Sequence, residues 1–544
     1  MSAAVAPRTE TDRALLAPRA DYSGQGVQQW LSKPGCGIEL KPIQCQALET
    51  IARQGGALLP LAVGSGKTFV ALLAGSMLSA DQAVILCPAG VVQQMQEQAA
   101  MLAQHFRMVP TRIVSYTGLS TNTDLLLALE KMRGRCVIVA DEAHKLKNPR
   151  SARTMRVMRL FEAAPHLHFV ALSGTMTSRS LTDFAHLAAL ALRDRSPVPR
   201  AGVHLESWAA CLDAKGKPTP YDWARISPLA RNAVAGLSGK ARKEAVRGAY
   251  RQHFRACAGV VASAESELGQ SLNIHRLDLD VPAEIRALLD QCEAGEDPQG
   301  DILEDDISVW RLQSQLSCGF YYRWVWPDGV IDDAWLQARR DWARCVRREL
   351  QERAAYLYDS PSLIEQHAET TKDRRTWPWL QRWQPHKAKP KPPTEAVWVS
   401  DYLLADIESR LRPGLIVWYQ SQAMADALEA RGLRVYRAGE QAPKDRAAWR
   451  RPNALSIAAH GTGTDGLQIV CHENLVVEPP SNGQAWEQLL GRTHRVKQPR
   501  DQVDFWVYSH TESLRGALRT ALDDARYIEQ TTGARQKLLA ASIY

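Results

Sequence analysis

The sequence predicts an α/β protein: two parallel-sheet lobes with a mainly helical insertion between them. Three observations predict it. Short apolar runs alternate with helical-period stretches through the first third of the chain and again after residue 396, and such alternation means parallel sheets covered by helices. Between those regions the alternation stops and helical periods dominate. A glycine-rich turn, Leu61-Ala62-Val63-Gly64-Ser65-Gly66-Lys67-Thr68, also joins the first apolar run to a helix-forming one.

At 544 residues the chain exceeds what one core supports, so two or three domains are expected. Apolar and charged contents of 45% and 23% are those of an ordinary globular protein. The formal charge of +8 permits a polyanionic partner without demanding one. Ten cysteines scattered singly, with no C-x-x-C pair, indicate neither a zinc knuckle nor a disulfide framework, and point to a reducing cytosol. No apolar run approaches the length of a membrane span, and Met1 to Ala20 lacks an apolar signal core. Residues 1–24 read as a disordered arm.

The first lobe is expected over 25–195. A helix over Cys45 to Ala52 precedes the strand at Ala57 to Leu61, which breaks into the glycine turn and opens a second helix, Phe69 to Leu78. Backbone N–H groups converging at a helix N-terminus suit a polyphosphate, so the expected ligand is a nucleoside triphosphate held by Gly64, Ser65, Gly66, Lys67 and Thr68. Lys67 would reach the β- and γ-phosphates, and the Thr68 hydroxyl would take one position on Mg²⁺. Leu61 stands where the usual pattern has Gly or Ala. Gln44 has an amide able to read adenine, although a surface glutamine is the commoner fate of such a residue.

Further strands are expected at Gln82 to Pro88, Arg112 to Tyr116, Cys136 to Ala140 and His168 to Leu172, with an amphipathic helix from Val91 to His105. The fourth strand runs into Asp141-Glu142-Ala143-His144-Lys145-Leu146-Lys147-Asn148. A strand-terminal Asp can hold Mg²⁺, partly through water, and the adjacent Glu can polarise the water that attacks a γ-phosphate. The last strand ends in Ser173-Gly174-Thr175, whose hydroxyls could bond to the acidic loop.

In this order Gln44, the GSGKT turn, Cys87-Pro88, Ser115-Tyr116, DEAHKLKN and LSGT resemble motifs Q, I, Ia, Ib, II and III of superfamily-two helicases. The extension Lys145-Leu146-Lys147-Asn148, with Ser151 after it, resembles the Swi/Snf-type DNA translocase branch. The resemblance implies RecA-like lobes, ATP and Mg²⁺ as cofactors, and Ser115 and Tyr116 at a nucleic-acid surface.

A helical insertion and basic Pro-rich linker are expected over 196–395, where members of that branch carry insertions. Lys240 to Arg255 and Asp333 to Leu357 have helical periods, the latter with Arg339, Arg340, Arg344, Arg347, Arg348 and Arg353. Asp341, Glu349 and Glu352 would make this a solvated, salt-bridged face; a phosphate-tracking surface is the alternative. The acidic run from Glu293 through Asp301, Glu304, Asp305 and Asp306 reads as an exposed loop. Trp377, Trp379 and Trp383 suit core packing before base stacking. His386 to Pro393, with Lys387, Lys389 and Lys391, reads as a stiff linker.

The second lobe is expected over 396–510. Strands at Gly414 to Tyr419, Arg434 to Tyr436, Leu455 to Ala458 and Gln502 to Tyr508 alternate with helices but carry no phosphate turn. The loop His460-Gly461-Thr462-Gly463-Thr464-Asp465-Gly466-Leu467-Gln468 resembles motif V, with Thr464 and Gln468 where the family form has Gly and Asn. Its Thr462 and Thr464 would contact nucleic acid, and Gly466 the nucleotide. Gln488 to Gln498 resembles motif VI, adding Gln488 to the nucleotide set. Arg492 and Arg495, on one face if the stretch is helical, would both point at the γ-phosphate. Residues 511–544 are expected as a helical tail.

The function expected is an ATP-dependent motor that translocates on, or remodels, duplex or branched DNA. RNA is a less favoured track, and no membrane is involved. One alternative is a strand-separating or branch-migrating DNA helicase; another is an ATP-switched nucleic-acid-binding protein without turnover. The compact plan suits the cytosol of a bacterium or of a phage-infected host.

Overall fold

Hydrophobic runs separated by glycine turns become the strands that organise the chain. The computed structural model describes all residues except 1–8, 63, 122–131, 175, 177–178, 231–233, 235, 263–269, 300–302, 304–305, 327–328, 354–360, 390–391, 444, 462–463 and 465. The chain packs into two compact units: Met1–Lys147, Met158–Leu279 and Arg410–Tyr544 form one, Asn148–Val157 and Asp280–Ser409 the other.

The first unit holds two parallel sheets. In the first, β1 (Ala57–Pro60), β2 (Gln82–Cys87), β3 (Thr111–Ser115), β4 (Cys136–Asp141) and β5 (His168–Ser173) lie in the order β1-β5-β4-β2-β3, all neighbours parallel. Both faces of the sheet are covered, so β4 inside it and β1 at its edge are buried throughout. Leu59, Ile85, Val137, Val139 and Leu172 share one core with Val70, Leu73 and Ala74 of the helix Lys67–Met77. The register sets Asp141 opposite Leu172, bringing the carboxyl ends of β4 and β5 together.

Seven strands make the second sheet. They are β6 (Ser271–Leu277), β9 (Leu415–Tyr419), β10 (Arg434–Tyr436), β11 (Asn453–Ser456), β12 (Glu473–Val476), β13 (Gln502–Tyr508) and β14 (Ser542–Ile543), whereas β7 (Phe320–Trp324) and β8 (Thr394–Trp398) pair with each other in the second unit. The order is β10-β11-β9-β12-β13-β6-β14, again parallel. Two parallel sheets flanked by helices are what the alternation predicted, and they fit the tandem RecA-like plan that the resemblance implied.

β6 falls inside the span expected to be insertion, yet it pairs along its whole length with β13. It covers an edge that would otherwise expose unpaired backbone groups. Asn273 Nδ2 and His275 Nε2 reinforce the pairing, at 3.1 and 2.9 Å from Asp504 Oδ1. The tail is helical at Glu512–Thr532, and its end then adds β14 beside β6. The apolar run at Leu455 to Ala458 is not one strand, because β11 stops at Ser456 and Ile457–His460 is helical.

Of the arm expected to be disordered through residue 24, residues 9–24 are held in the fold, and residues 1–8 lie outside the described residues. Thr9 caps the helix Glu10–Leu15, and Ala14 is fully buried. Arg13 donates to Ser196 O at 3.1 Å and Val198 O at 2.7 Å, while its other face meets Glu10. These bonds satisfy a nearly buried guanidinium, so the segment is held rather than free.

In the second unit β7 and β8 pair antiparallel, beside the helices Asp333–Arg353, Pro361–Thr371 and Trp377–Lys387. Trp377, Trp379 and Trp383 pack against a core of Trp342, Cys345, Val346, Ile364, Ala368 and Leu380, so packing is the role they fill. Arg344 pairs with Asp341, and Arg348 and Arg375 both face the fully buried Glu349. His386 and Lys387 close a helix instead of forming a linker, and Lys389 pairs with Asp332 at 2.6 Å. Glu293 ends one helix and Asp306 begins another; Asp301, Glu304, Asp305 and Lys391 lie outside the described residues. All ten cysteines are free thiols. Among the described residues no helix is long and apolar enough to cross a membrane.

Candidate active site

The glycine turn follows β1 and ends at Gly66, the N-cap of the helix Lys67–Met77. Gly64 and Gly66 have φ of 91° and 81°, a left-handed backbone that glycine adopts without steric cost. Three side chains brace the turn. Lys41 Nζ donates to Gly64 O at 2.9 Å, Gln44 Nε2 to Gly66 O at 3.1 Å, and Ser65 Oγ to Ala62 O at 2.8 Å. Gln44 Oε1 also accepts from Lys41 N at 2.7 Å, capping the helix Pro42–Gln54. Its amide, expected to read a base, is spent on the turn.

Across from the turn, β4 delivers Asp141 and then Glu142. Glu142 has φ 54° and ψ 51°, a left-handed conformation that costs a non-glycine residue about 1–2 kcal/mol. Its carboxylate Oε1 lies 3.2 Å from Lys67 Nζ, and its Oε2 lies 3.1 Å from His144 Nδ1. His144 Nδ1 is equally 3.1 Å from Ser173 Oγ, so the hydroxyl at the end of β5 reaches the acidic loop. Thr175 lies outside the described residues.

Burial and the adjacent Glu142 push Asp141 up to about 7, with Lys67 partly opposing them. Burial acts on Glu142 too, but Lys67 and His144 outweigh it and hold that carboxyl well below the usual range. Asp141 Oδ1 is buried and, among the described residues, has no hydrogen-bond partner. An acidic oxygen left in this state, in a cavity that Thr68 also lines, fits a hard divalent cation, whose charge would restore ionised Asp141.

From the second sheet come two arginines. The helix Gly483–Thr493 carries Arg492, which is 8% exposed; its Nε donates to Gln488 O at 3.1 Å and its Nη1 to Thr464 O at 2.6 Å. Arg495 lies past the end of that helix, so the two do not share a helical face as their spacing suggested. His494, the C-cap, turns the chain between them.

A cavity of about 280 Å³ is lined by Gly64, Gly66, Lys67, Thr68, Asp141, Glu142, Arg492 and Arg495 together. Gln44 and Ser65 support its floor without lining it, and Gln488 lies behind Arg492. Gly466, with φ 96°, is the N-cap of the short helix Leu467–Val470 and does not line the cavity.

Phe69, Gln94, Met95 and Gln98 also line it, and sequence reasoning missed them. The available signal was the one-turn spacing of Gln94 and Gln98, which a solvated helix face shows equally.

Tyr116, expected at a nucleic-acid surface, is 2% exposed, and its hydroxyl donates to Asp141 O at 2.8 Å. A buried ring braces the acidic loop from below and cannot touch a duplex. Ser115 Oγ accepts from Gly118 N at 2.9 Å. Thr464 Oγ1 is 3.3 Å from His460 Nδ1, and Thr462 lies outside the described residues.

Residues 41–184 match the family model for the DEAD/DEAH box helicase. That span covers the braced turn, the acidic loop and the end of β5, and a helicase domain of superfamily two is therefore present. Such a domain supports ATP-dependent motor activity on nucleic acid in general. No curated protein matches the chain.

Proposed function

We propose that the chain is an ATP-driven DNA motor, of the Swi/Snf-type translocase branch, that moves along or remodels duplex or branched DNA. The observation that carries this reading is the single cavity shared by Lys67, Thr68, Asp141 and Glu142 from one sheet and by Arg492 and Arg495 from the other. Two RecA-like lobes, over about 25–195 and 396–510, would each supply half of the site.

Lys67 and the turn amides hold the β- and γ-phosphates. Thr68 and Asp141 would hold Mg²⁺, partly through water, and the ion would supply charge to neutralise the phosphates. Glu142 takes the proton of the attacking water, and Arg492 and Arg495 meet the charge that develops on the γ-phosphoryl group. Loss of that group removes what both sides grip, so the lobes part and a duplex held by its phosphates is released in part and regripped. The DEAHKLKN extension favours DNA over RNA.

Phosphate release with blunt, forked and Holliday-junction DNA, and with RNA, tests the reading. Stimulation by DNA but not RNA is expected, and it should vanish in Lys67→Ala and Glu142→Gln. Turnover indifferent to both substitutions would overturn the site assignment, and stimulation by RNA alone would overturn the DNA assignment.

A further inference from the structure

Outside the cavity, the segment leaving β5 is tied to the second sheet. Arg179 Nε lies 3.1 Å from both carboxylate oxygens of Asp524, and its Nη2 donates to Ser481 O at 3.0 Å. Asp524 is in the tail helix Glu512–Thr532 and is 6% exposed; its Oδ2 also accepts from Gly483 N at 3.4 Å. Gly483 starts the helix that carries Arg492. It leaves no space for a side chain, because a Cβ would stand 2.8 Å from both Ala521 O and Ala525 N. One carboxylate thus joins the β5 segment, the start of the arginine helix and the tail helix.

A second tie lies one turn further along the tail helix. Tyr527 donates its hydroxyl to Asp213 Oδ1 at 3.0 Å, and Asp213 accepts from Leu181 N at 3.0 Å and from Ser180 Oγ at 2.5 Å. Residues 179–181 are therefore gripped at two points. At its other end the same segment leads back to Ser173, whose hydroxyl meets His144 beside Glu142.

We propose that Arg179 and Asp524 are positioning residues: their ion pair sets the helix Gly483–Thr493 against the segment leaving β5, and so holds Arg492 at the cavity. This rests on reading the cavity as an ATP site. The helix is about 16 Å long and stiff, so displacement at Gly483 is carried to Arg492. Removing Arg179 leaves a nearly buried carboxylate without its cation, and a buried charge of that kind drives its surroundings apart or takes up a proton. The phosphate turn is braced instead by Lys41 and Gln44 and makes none of these contacts.

The test uses the full chain with Arg179→Ala, Arg179→Lys, Asp524→Asn and the Ala/Asn double substitution. DNA-stimulated phosphate release, affinity for a fluorescent ATP analogue and amide exchange over Gly483–Thr493 are measured. Each Ala or Asn single variant should lower kcat by about tenfold or more, since misplacement of a catalytic group by about 1 Å has effects of that size. Analogue affinity should stay within about twofold, exchange over the arginine helix should rise, and the double variant should be no worse than either single one. Arg179→Lys, which keeps the charge, should recover part of kcat.

A plain structural strut would instead lower Tm with kcat of the folded protein unchanged, and that result overturns the proposal, as does additivity in the double variant. Absence of turnover in the wild-type protein would reject the ATP-site reading itself. Unchanged exchange in the single variants would reject the coupling, whatever the turnover.

Discussion

Lys67 and Glu142 form an ion pair across the cavity, Nζ to Oε1 at 3.2 Å, with side chains only 11% and 14% exposed. Each is the other's principal counter-charge in this state. On the proposed reading, a triphosphate entering the turn would compete for the lysine and free the carboxylate for water, coupling occupancy of the site to the readiness of its base.

Lys67→Ala and Glu142→Gln should therefore part company in stability. The first leaves a buried carboxylate without its cation and should cost about 3 kcal/mol. The second keeps the hydrogen-bonding shape and should cost under about 1 kcal/mol, yet lower turnover by about 10²–10⁴-fold. Thermal unfolding without nucleotide, set beside phosphate release, checks both. Equal loss of stability in the two variants would show that the pair is not what holds this loop.

Gln44→Glu separates bracing of the turn from capping of the helix. A carboxylate still accepts from Lys41 N but cannot donate to Gly66 O. The helix cap should survive, but the buried carboxylate now faces the Gly66 carbonyl oxygen, so both Tm and affinity for a nucleotide analogue should fall. Gln44→Ala should lose both, with a stability cost of about 1 kcal/mol. Calorimetry together with analogue titration distinguishes the outcomes.

Gly483→Ala places a methyl group against Ala521 O and Ala525 N at 2.8 Å. Both atoms are backbone of one helix, so the two helices must separate. Destabilisation of about 1–3 kcal/mol is expected, read as a lower denaturation midpoint. An unchanged midpoint would mean that the helices can slide apart freely.

Acid should release the amino-terminal segment before it unfolds the sheets. Partial burial raises Glu10, but hydrogen bonds from Arg200 and Arg13 outweigh this and bring its pKa to about 2, from an ordinary 4.5. A depressed carboxyl contributes stability above its unfolded value and loses it as pH falls toward the folded one. The contribution is thus intact above about pH 4.5 and gone near pH 2. Protease susceptibility at Glu10–Leu15 should rise across that window, and Glu10→Gln should show raised susceptibility already at neutral pH.

The first sheet was legible because parallel strands buried on both faces have to be continuous apolar runs, and because a glycine turn between such a run and a helix has few other uses. Ser271–Leu277 was not legible. It falls inside the span expected to be helical insertion, because its polar Asn273, His275 and Arg276 break any apolar run, and Asp504, more than two hundred residues away, supplies partners for the first two. Glu473–Val476 and Ser542–Ile543 are too short to show any period.

By itself the sequence determined the residue types of the site and their local frames: a turn that exposes amides, two carboxylates at a strand end, and two arginines near a helix end. Those follow from interactions within a few residues of each other. Only the tertiary structure decided that Lys67 pairs with Glu142, that Tyr116 lies buried beneath Asp141, and that Arg179 meets Asp524. Each of these joins groups distant in the chain, and whether they meet depends on the register of β4 beside β5 and on the packing of the tail helix, which no local pattern encodes.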